Sequence, residues 1–414
     1  MKTVIMAGGK GTRISSIAAD IPKPMIKIGD KPVLQLEIES LKKQGFNDFI
    51  ITISHLGHII SDYFGDGSKF GVNIEYYNEE VPLGNAGALF KIKDKLDEDF
   101  LLINGDVLFE FDANRFVKYH KEKGSLVTLF THPNSHPYDS GLVITDDNKC
   151  VTGWLTKEDD RPEYYKNRVN AGIHVISPKI LDKEIEKEKI DLDRDILKPL
   201  CGTGVMFAYD SCEYVKDMGT PERYAQVSED LLSGKVERRS LTHKQKAIFL
   251  DRDGTINRYV GFLTDINDFE LLPTVSEAIK AINDSEYLVI VITNQPVIAR
   301  GEVTFEELDQ IHDKMETLLG KDGAYLDGLY FCPHHPHSGY EGEVKELKID
   351  CDCRKPKPGM LFKAAEDFNI DLSASYMIGD GDNDMGAGSN AGCKCIRIDR
   401  DGDLLAAVKK ALDD

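Results

Sequence analysis

KAIFLDRDGTIN, residues 246–257, is the stretch that decides how this chain is built. An apolar run, AIFL, ends in Asp251 and Asp253, one residue apart, and Gly254 and Thr255 follow at once. A strand that delivers two carboxylates to a glycine turn is the opening of an α/β sheet with chemistry at its carboxyl edge. It comes after 245 residues that have already begun in a similar way, because VIMAGGKGTR at 4–13 is another strand that runs into glycines. Two such starts predict two α/β domains. Their glycine signatures differ, so the chain reads as a fusion and not as an internal repeat.

Strand-like runs alternate with helical periodicity on both sides of the quoted stretch. Strands are predicted at 3–7, 49–53, 72–77, 100–105 and 125–131, and VLQLEIESLKKQG (33–45) has the helical period and ends in glycine. The pattern resumes with AIFLD (247–251), YLVIVIT (287–293), LYFC (329–332), SYMIGD (375–380) and KCIRI (394–398). Such alternation argues for two Rossmann-like α/β domains, the first with a mixed, mostly parallel sheet. Between them, 235–245 is polar, basic and aperiodic and reads as a linker, which places the domains at 1–234 and 246–414. At 414 residues the chain has room for two or three domains of about 150 residues each.

Composition narrows the class. Hydrophobic residues are 41% and charged residues 29%, the balance of an ordinary soluble protein. No apolar run approaches the roughly 20 residues of a membrane helix. The amino terminus enters a strand at once with no signal peptide, so a cytoplasmic location is expected. The net charge of −20 and the lack of a basic stripe argue against nucleic acid as a partner. Small-molecule substrates are expected, and a homo-oligomer is allowed. The eight cysteines are clustered, which in a cytoplasmic chain points to metal ligands before disulfides.

In the first half, Gly8, Gly9 and Gly11 would let the backbone approach a polyphosphate, and Thr12 and Arg13 add a hydroxyl and a planar cation. A tight strand-to-helix turn would explain the glycines alone. Lys23 sits between Pro22 and Pro24, which stiffen its backbone and aim its ammonium. Asp106 ends the strand-like run LLINGD, and Asp217 precedes a helix begun by Thr220 and Pro221, where capping is the plainer reading. In order and spacing, AGGKGTR, PKPM, PLGNAGAL, NGD, NAGIHVIS and DMGTPERY resemble the sugar-1-phosphate nucleotidyltransferases over nearly all of 1–234. The resemblance implies that Gly8, Gly9, Gly11, Thr12 and Arg13 bind the triphosphate and that Lys23 contacts phosphate at the reacting centre. It also implies that Gly84 lies near the base, that Asp106 and Asp217 hold Mg²⁺, and that Lys157 and Asn170 face the sugar phosphate. TKED (156–159) departs from the family's Glu-Lys-Pro and removes an acidic contact to the sugar.

In the second half, a first aspartate can attack phosphorus and a second, two residues on, can serve as general acid and base. Solvated loop carboxylates are the plainer reading of the pair. Thr293 and Asn294 end a second strand, CRKPKPGM offers Arg354 and Lys355, and Asp380 ends a third strand within IGDGDNDMGAG. These four motifs in this order resemble the haloacid dehalogenase phosphatase superfamily over about 246–412. The resemblance implies Asp251 as nucleophile and Asp253 as general acid/base, with Thr293 and Lys355 on the phosphoryl group. Mg²⁺ would rest on Asp251, Asp380 and the Asp253 carbonyl.

FCPHHPHSGYEGEVKELKIDCDC (331–353) lies between two of these motifs. Its spacing suits a structural zinc site of Cys332, His334, Cys351 and Cys353, with His335 and His337 as rivals. A polar loop of this kind buries too little to offset its own ordering, and a metal would.

With CRKPKPGM, this loop is similar to the heptose bisphosphate phosphatases and their histidinol-phosphate relatives, where Arg354 would recognise substrate. Gly381, and Pro296-Val297 after TNQ, depart from the heptose pattern and leave specificity open. VTLFTHPNSHPYDSGL (127–142) is similar to heptose 1-phosphate guanylyltransferases. The combined resemblance implies a bifunctional chain making GDP-D-glycero-α-D-manno-heptose, in which one domain prepares what the other activates. Two alternatives remain. One is a hexose 1-phosphate nucleotidyltransferase fused to a histidinol-phosphate-like phosphatase. The other is a binding or regulatory protein with one inactive domain.

Overall fold

The computed structural model of the chain describes residues 1–9, 20–156, 158–183, 185–339 and 341–414, so Gly11, Thr12, Arg13 and Lys157 lie outside the described residues. These residues gather into two compact units. The first holds Met1–His132, Val143–Trp154 and Asn170–Ser240; the second holds Leu241–Asp414 together with Pro133–Leu142 and Leu155–Val169. The chain therefore passes between units more than once. Residues 235–245, polar in sequence, begin with a helical turn, Lys235–Arg238, and bury Val236, Arg239, Ser240, Leu241 and Gln245.

In the first unit the strand Thr3–Met6 is the pivot. It pairs in parallel with Asp48–Ile53 on one side and Phe100–Asn104 on the other, and Asn73–Asn78 extends the sheet past Asp48–Ile53. The chain thus builds outward in one direction and then returns to the other side of its first strand. The crevice at the carboxyl ends of such a switch point is where open α/β sheets bind ligands, and Gly8 and Gly9 lie there. Val169–Ile176 runs antiparallel to Phe100–Asn104, so the sheet is mixed. The central strand Phe100–Asn104 is buried on both faces, which is why FLLI at 100–103 reads as an unbroken apolar run.

The helix Val33–Lys43 packs Leu34, Ile38 and Leu41 into the core. The same helix buries Glu37 completely, and neither carboxyl oxygen has a well-formed hydrogen bond among the described residues. Burial pushes its pKa well above the usual carboxylate range, Asp106 adds to the rise, and a weak contact with the Val107 N–H opposes it. A raised folded-state pKa means that the stability of the protonated form is fully present below the unfolded value, roughly 4.3, and is lost as pH rises through the folded value. Glu37→Gln is therefore expected to raise the melting temperature at pH 8. The advantage should vanish by pH 4, as thermal unfolding at the two pH values would show.

The second unit carries a five-stranded parallel sheet in the order Gly328–Cys332, Tyr287–Asn294, Lys246–Leu250, Tyr376–Gly379, Lys394–Arg397. Lys246–Leu250 is the pivot here, so Asp251 emerges at the switch point and Asp380 ends the neighbouring strand. Within this unit, Leu155–Val169 docks on the helix Phe305–Lys321. The Tyr165 N–H donates to Thr317 Oγ1 at 2.8 Å and the Asn167 N–H to Glu316 Oε2 at 2.9 Å, and Asn167, Glu316 and Thr317 are all buried.

Candidate active sites

The first site is a cavity of about 900 Å³ in the first unit, lined among others by Gly8, Gly9, Lys23, Glu79, Gly84 and Asp106. A Cβ on Gly84, whose φ is +85°, would stand 2.3 Å from the Ile190 carbonyl oxygen, so this position needs glycine for its own turn. A Cβ on Gly9 would meet no atom of the described residues within 4 Å.

Lys23 lies in a helical turn, Lys23–Met25, that Pro24 helps to shape. Its ammonium is buried and donates to Asp106 Oδ2 at 2.5 Å. Asp106 follows the strand Phe100–Asn104. Asp217 ends the strand Tyr214–Asp217, which pairs antiparallel with Val107–Glu110, and the Met218 N–H donates to the Asp106 carbonyl at 3.1 Å. The ladder thus brings the Asp106 and Asp217 backbones side by side. Burial works to raise the Asp217 pKa, but Arg223 at 2.6 Å, the Gly219 N–H and the Lys23 charge outweigh it and hold the group below the usual range. Two carboxyl groups beside a lysine fit a divalent cation and a polyphosphate. Asp217 does not cap the helix Pro221–Leu232. Thr220 does so, accepting the Arg223 N–H at 3.3 Å.

Asn170 lies near the start of Val169–Ile176, at the end of that strand closest to Asn104. Gly172 shows how tight the packing is, since a Cβ there would stand 2.4 Å from Asn104 Nδ2.

The second site gathers three carboxylates. Asp251, Asp380 and Asp384 each place an oxygen within 4.8 Å of the others, a set that can hold a metal ion. Asp384 is absent from the residues that the sequence motifs single out. It stands one helical turn after Asp380, its Oδ2 accepts the Gly381 N–H at 2.9 Å, and that spacing was the available signal. Lys355 is buried and donates to Asp251 Oδ1 and to the Ile292 carbonyl at 2.6 and 2.8 Å, and Asp384 Oδ1 lies 2.6 Å away. Burial raises the pKa of Asp251, Lys355 opposes the rise, and Asp384 adds to it. Asp380 carries its own counter-ion, Arg400, at 2.8 Å.

Asp253 stands apart from this trio. Its carboxylate accepts from the Arg252 guanidinium, from Asn257 Nδ2 at 3.1 Å and from Gln295 Nε2 at 2.8 Å. Arg252 is fully buried and also points Nη1 at His312 Nε2, 3.2 Å away. Burial, with the Arg252 charge beside it, holds His312 far below its usual pKa, so the ring is neutral and can accept. Gln295 links Asp253 to Thr293 through a 2.8 Å bond to Thr293 Oγ1. Arg252, Gln295 and His312 were invisible in the motif because their roles depend on contacts across the fold.

Asn294, at the end of the second strand, is engaged with the loop that carries Lys355. Its amide accepts the Lys355 N–H at 3.0 Å and donates to the Lys355 carbonyl at 3.1 Å, so both ends of the amide hold the loop that carries the lysine. Arg354 donates to the His334 carbonyl at 3.0 Å and so joins that loop to the cysteine cluster.

In that cluster, Cys332, His334, Cys351 and Cys353 point ligand atoms at one centre. Sulfur separations of 3.2–3.5 Å and a His334 Nδ1–Cys353 Sγ distance of 3.3 Å approach the edges of a metal-centred tetrahedron. His335 is half-buried and His337 exposed, and the His337 N–H donates to His335 Nδ1 at 3.2 Å.

Residues 2–234 match the nucleotidyl transferase family and residues 352–410 the HAD-hydrolase-like family. UTP–glucose-1-phosphate uridylyltransferase of Synechocystis sp. is 34% identical across 57% of this chain and 65% of its own length. Mannose-1-phosphate guanylyltransferase of Mycobacterium tuberculosis is 32% identical across 56% and 64%. The chain thus spans less than two thirds of either transferase. D-glycero-beta-D-manno-heptose-1,7-bisphosphate 7-phosphatase of Haemophilus ducreyi is 42% identical across 39% of this chain and 87% of its own length. No helix among the described residues is long and apolar enough to cross a membrane. The chain belongs to the nucleotidyl transferase family over residues 2–234, and behind that domain it carries a HAD-like phosphatase domain.

Proposed function

We propose that the chain runs two consecutive steps of nucleotide-sugar synthesis. The HAD-like domain removes the 7-phosphate of D-glycero-D-manno-heptose 1,7-bisphosphate, and the transferase domain joins GMP from GTP to the resulting heptose 1-phosphate with loss of pyrophosphate. The observation that carries this reading is the pairing itself: a phosphatase similar to one acting on a heptose bisphosphate is fused to a transferase whose family takes sugar 1-phosphates. The product of one reaction has the chemistry of the other's substrate.

The matched transferases differ in base, so the guanine reading rests on Glu79. This carboxylate lines the cavity with Gly8 and Gly84, and it accepts the Leu83 N–H at 3.3 Å through one oxygen. Guanine presents two adjacent donors, N1–H and the exocyclic amine, which one carboxylate can accept together. Uracil and thymine present one N–H between two carbonyls, which a carboxylate repels.

In the transferase, a sugar-phosphate oxygen would attack the α-phosphorus in line while Lys23 offsets the growing charge. In the phosphatase, Asp251 would attack phosphorus and Asp253 would give its proton to the leaving sugar oxygen. Asp253 would then take a proton from the water that cleaves the aspartyl-phosphate. Thr293 and Lys355 would hold the phosphoryl oxygens. Mg²⁺ on Asp251, Asp380 and Asp384, and on Asp106 with Asp217 in the other domain, would supply charge neutralisation.

The test supplies the bisphosphate and Mg²⁺ with each of four nucleoside triphosphates and weighs the product by mass spectrometry. GDP-heptose formed with GTP alone is the expected result. Preference for a hexose 1-phosphate with UTP, or phosphate release from histidinol phosphate in place of the heptose compound, would favour the alternative fusion.

Zinc is the metal proposed for the cysteine cluster, as a structural ion. Cys351→Ser is expected to reduce bound zinc from about one per chain to none by elemental analysis. Its melting temperature should fall by on the order of 10 °C. Full metal-free stability would remove this role.

A further inference from the structure

His174 is completely buried in the strand Val169–Ile176, four residues from Asn170. Burial drives its pKa down to about 3, so the ring is neutral and carries one N–H. Its Nε2 lies 3.1 Å from Asn170 Oδ1, and its Nδ1 has no partner among the described residues. A buried ring nitrogen without a proton is cheaper to leave unpartnered than a buried N–H, which favours the tautomer protonated on Nε2.

The Gly172 N–H, which can only donate, also points at Asn170 Oδ1, at 3.4 Å. Two donors therefore converge on the oxygen and fix the amide's orientation. The acceptor end of Asn170 is occupied from within the protein, and the side chain is left with two N–H donors at Nδ2. Asn170 is half-buried, so these donors can meet a ligand.

We propose that His174 is a positioning residue of the transferase. By holding Asn170 Oδ1 it makes Asn170 a pure donor, one that fits an oxygen of the sugar 1-phosphate and disfavours a ligand group that donates. The proposal rests on the reading that Asn170 faces that substrate, and it adds the residue that decides which end of the amide is presented.

The test uses the full chain. Pyrophosphate release is measured with sugar 1-phosphate and GTP varied separately, and phosphate release by the other domain serves as an internal control for folding. His174→Leu is expected to raise the KM for sugar 1-phosphate roughly ten-fold and to leave the KM for GTP within two-fold. His174→Gln, which can still donate to Asn170, should restore most of the loss. His174→Met serves in place of His174→Leu should that variant not fold. Asn170→Ala should raise the same KM by at least as much.

The outcomes separate the two ideas. If Asn170→Ala changes nothing, Asn170 does not face the sugar phosphate and the premise falls. If Asn170→Ala impairs the enzyme but the apolar His174 variants do not, or if Gln is no better than Leu, the positioning role falls alone.

Discussion

Asp251→Asn is expected to abolish phosphate release, by on the order of 10⁴-fold or more, and to leave nucleotidyl transfer from a supplied sugar 1-phosphate unchanged. The amide keeps the shape of the carboxylate but cannot attack phosphorus. Lys355 would lose one of its two carboxylate neighbours and keep Asp384 at 2.6 Å, so it stays charged and in place. The loss should therefore be one of chemistry and not of folding. Phosphate and pyrophosphate release, measured on one preparation, make the comparison direct. Turnover close to that of the parent would rule out an aspartyl-phosphate at this position and revive a binding role for the domain.

The second large effect is expected in the other domain. Lys23→Ala should lower nucleotidyl transfer by roughly 10²–10³-fold, because a fixed cation is removed where negative charge grows. Lys23 is 9% exposed and already within 2.5 Å of Asp106, so its ammonium is held by the fold before any ligand arrives. Lys23→Arg should rescue poorly, since a planar guanidinium is larger and needs a different geometry than a buried point charge. Phosphate release should be untouched by either change. Equal loss of both activities would instead indicate that the chain has misfolded.

Much of this site chemistry is legible in the amino-acid sequence. Strand periodicity locates the pivots of both sheets, and the residues just past them, Gly8 and Asp251, stand at the two switch points. The cysteine spacing is equally direct, because ligands two residues apart at each end of a loop need only the loop to close.

Other residues could not be read because their neighbours lie far along the chain. Asp384 meets Lys355, Gln295 meets Asp253 from 42 positions away, and Glu79 lines a cavity built from several strands. Asn294 belongs to a motif, but the contact its amide makes, with the backbone of Lys355 61 residues on, was equally out of reach of the sequence.

The sequence by itself determined which elements form and which side chains leave their carboxyl ends, since local periodicity and glycine placement depend only on near neighbours. Tertiary structure alone decided the electrostatics of each site. Whether Asp217 is held ionised, whether His174 is neutral, and which carboxylates stand with Asp251 are matters of burial and of charges within a few ångströms, and sheet order determines those distances.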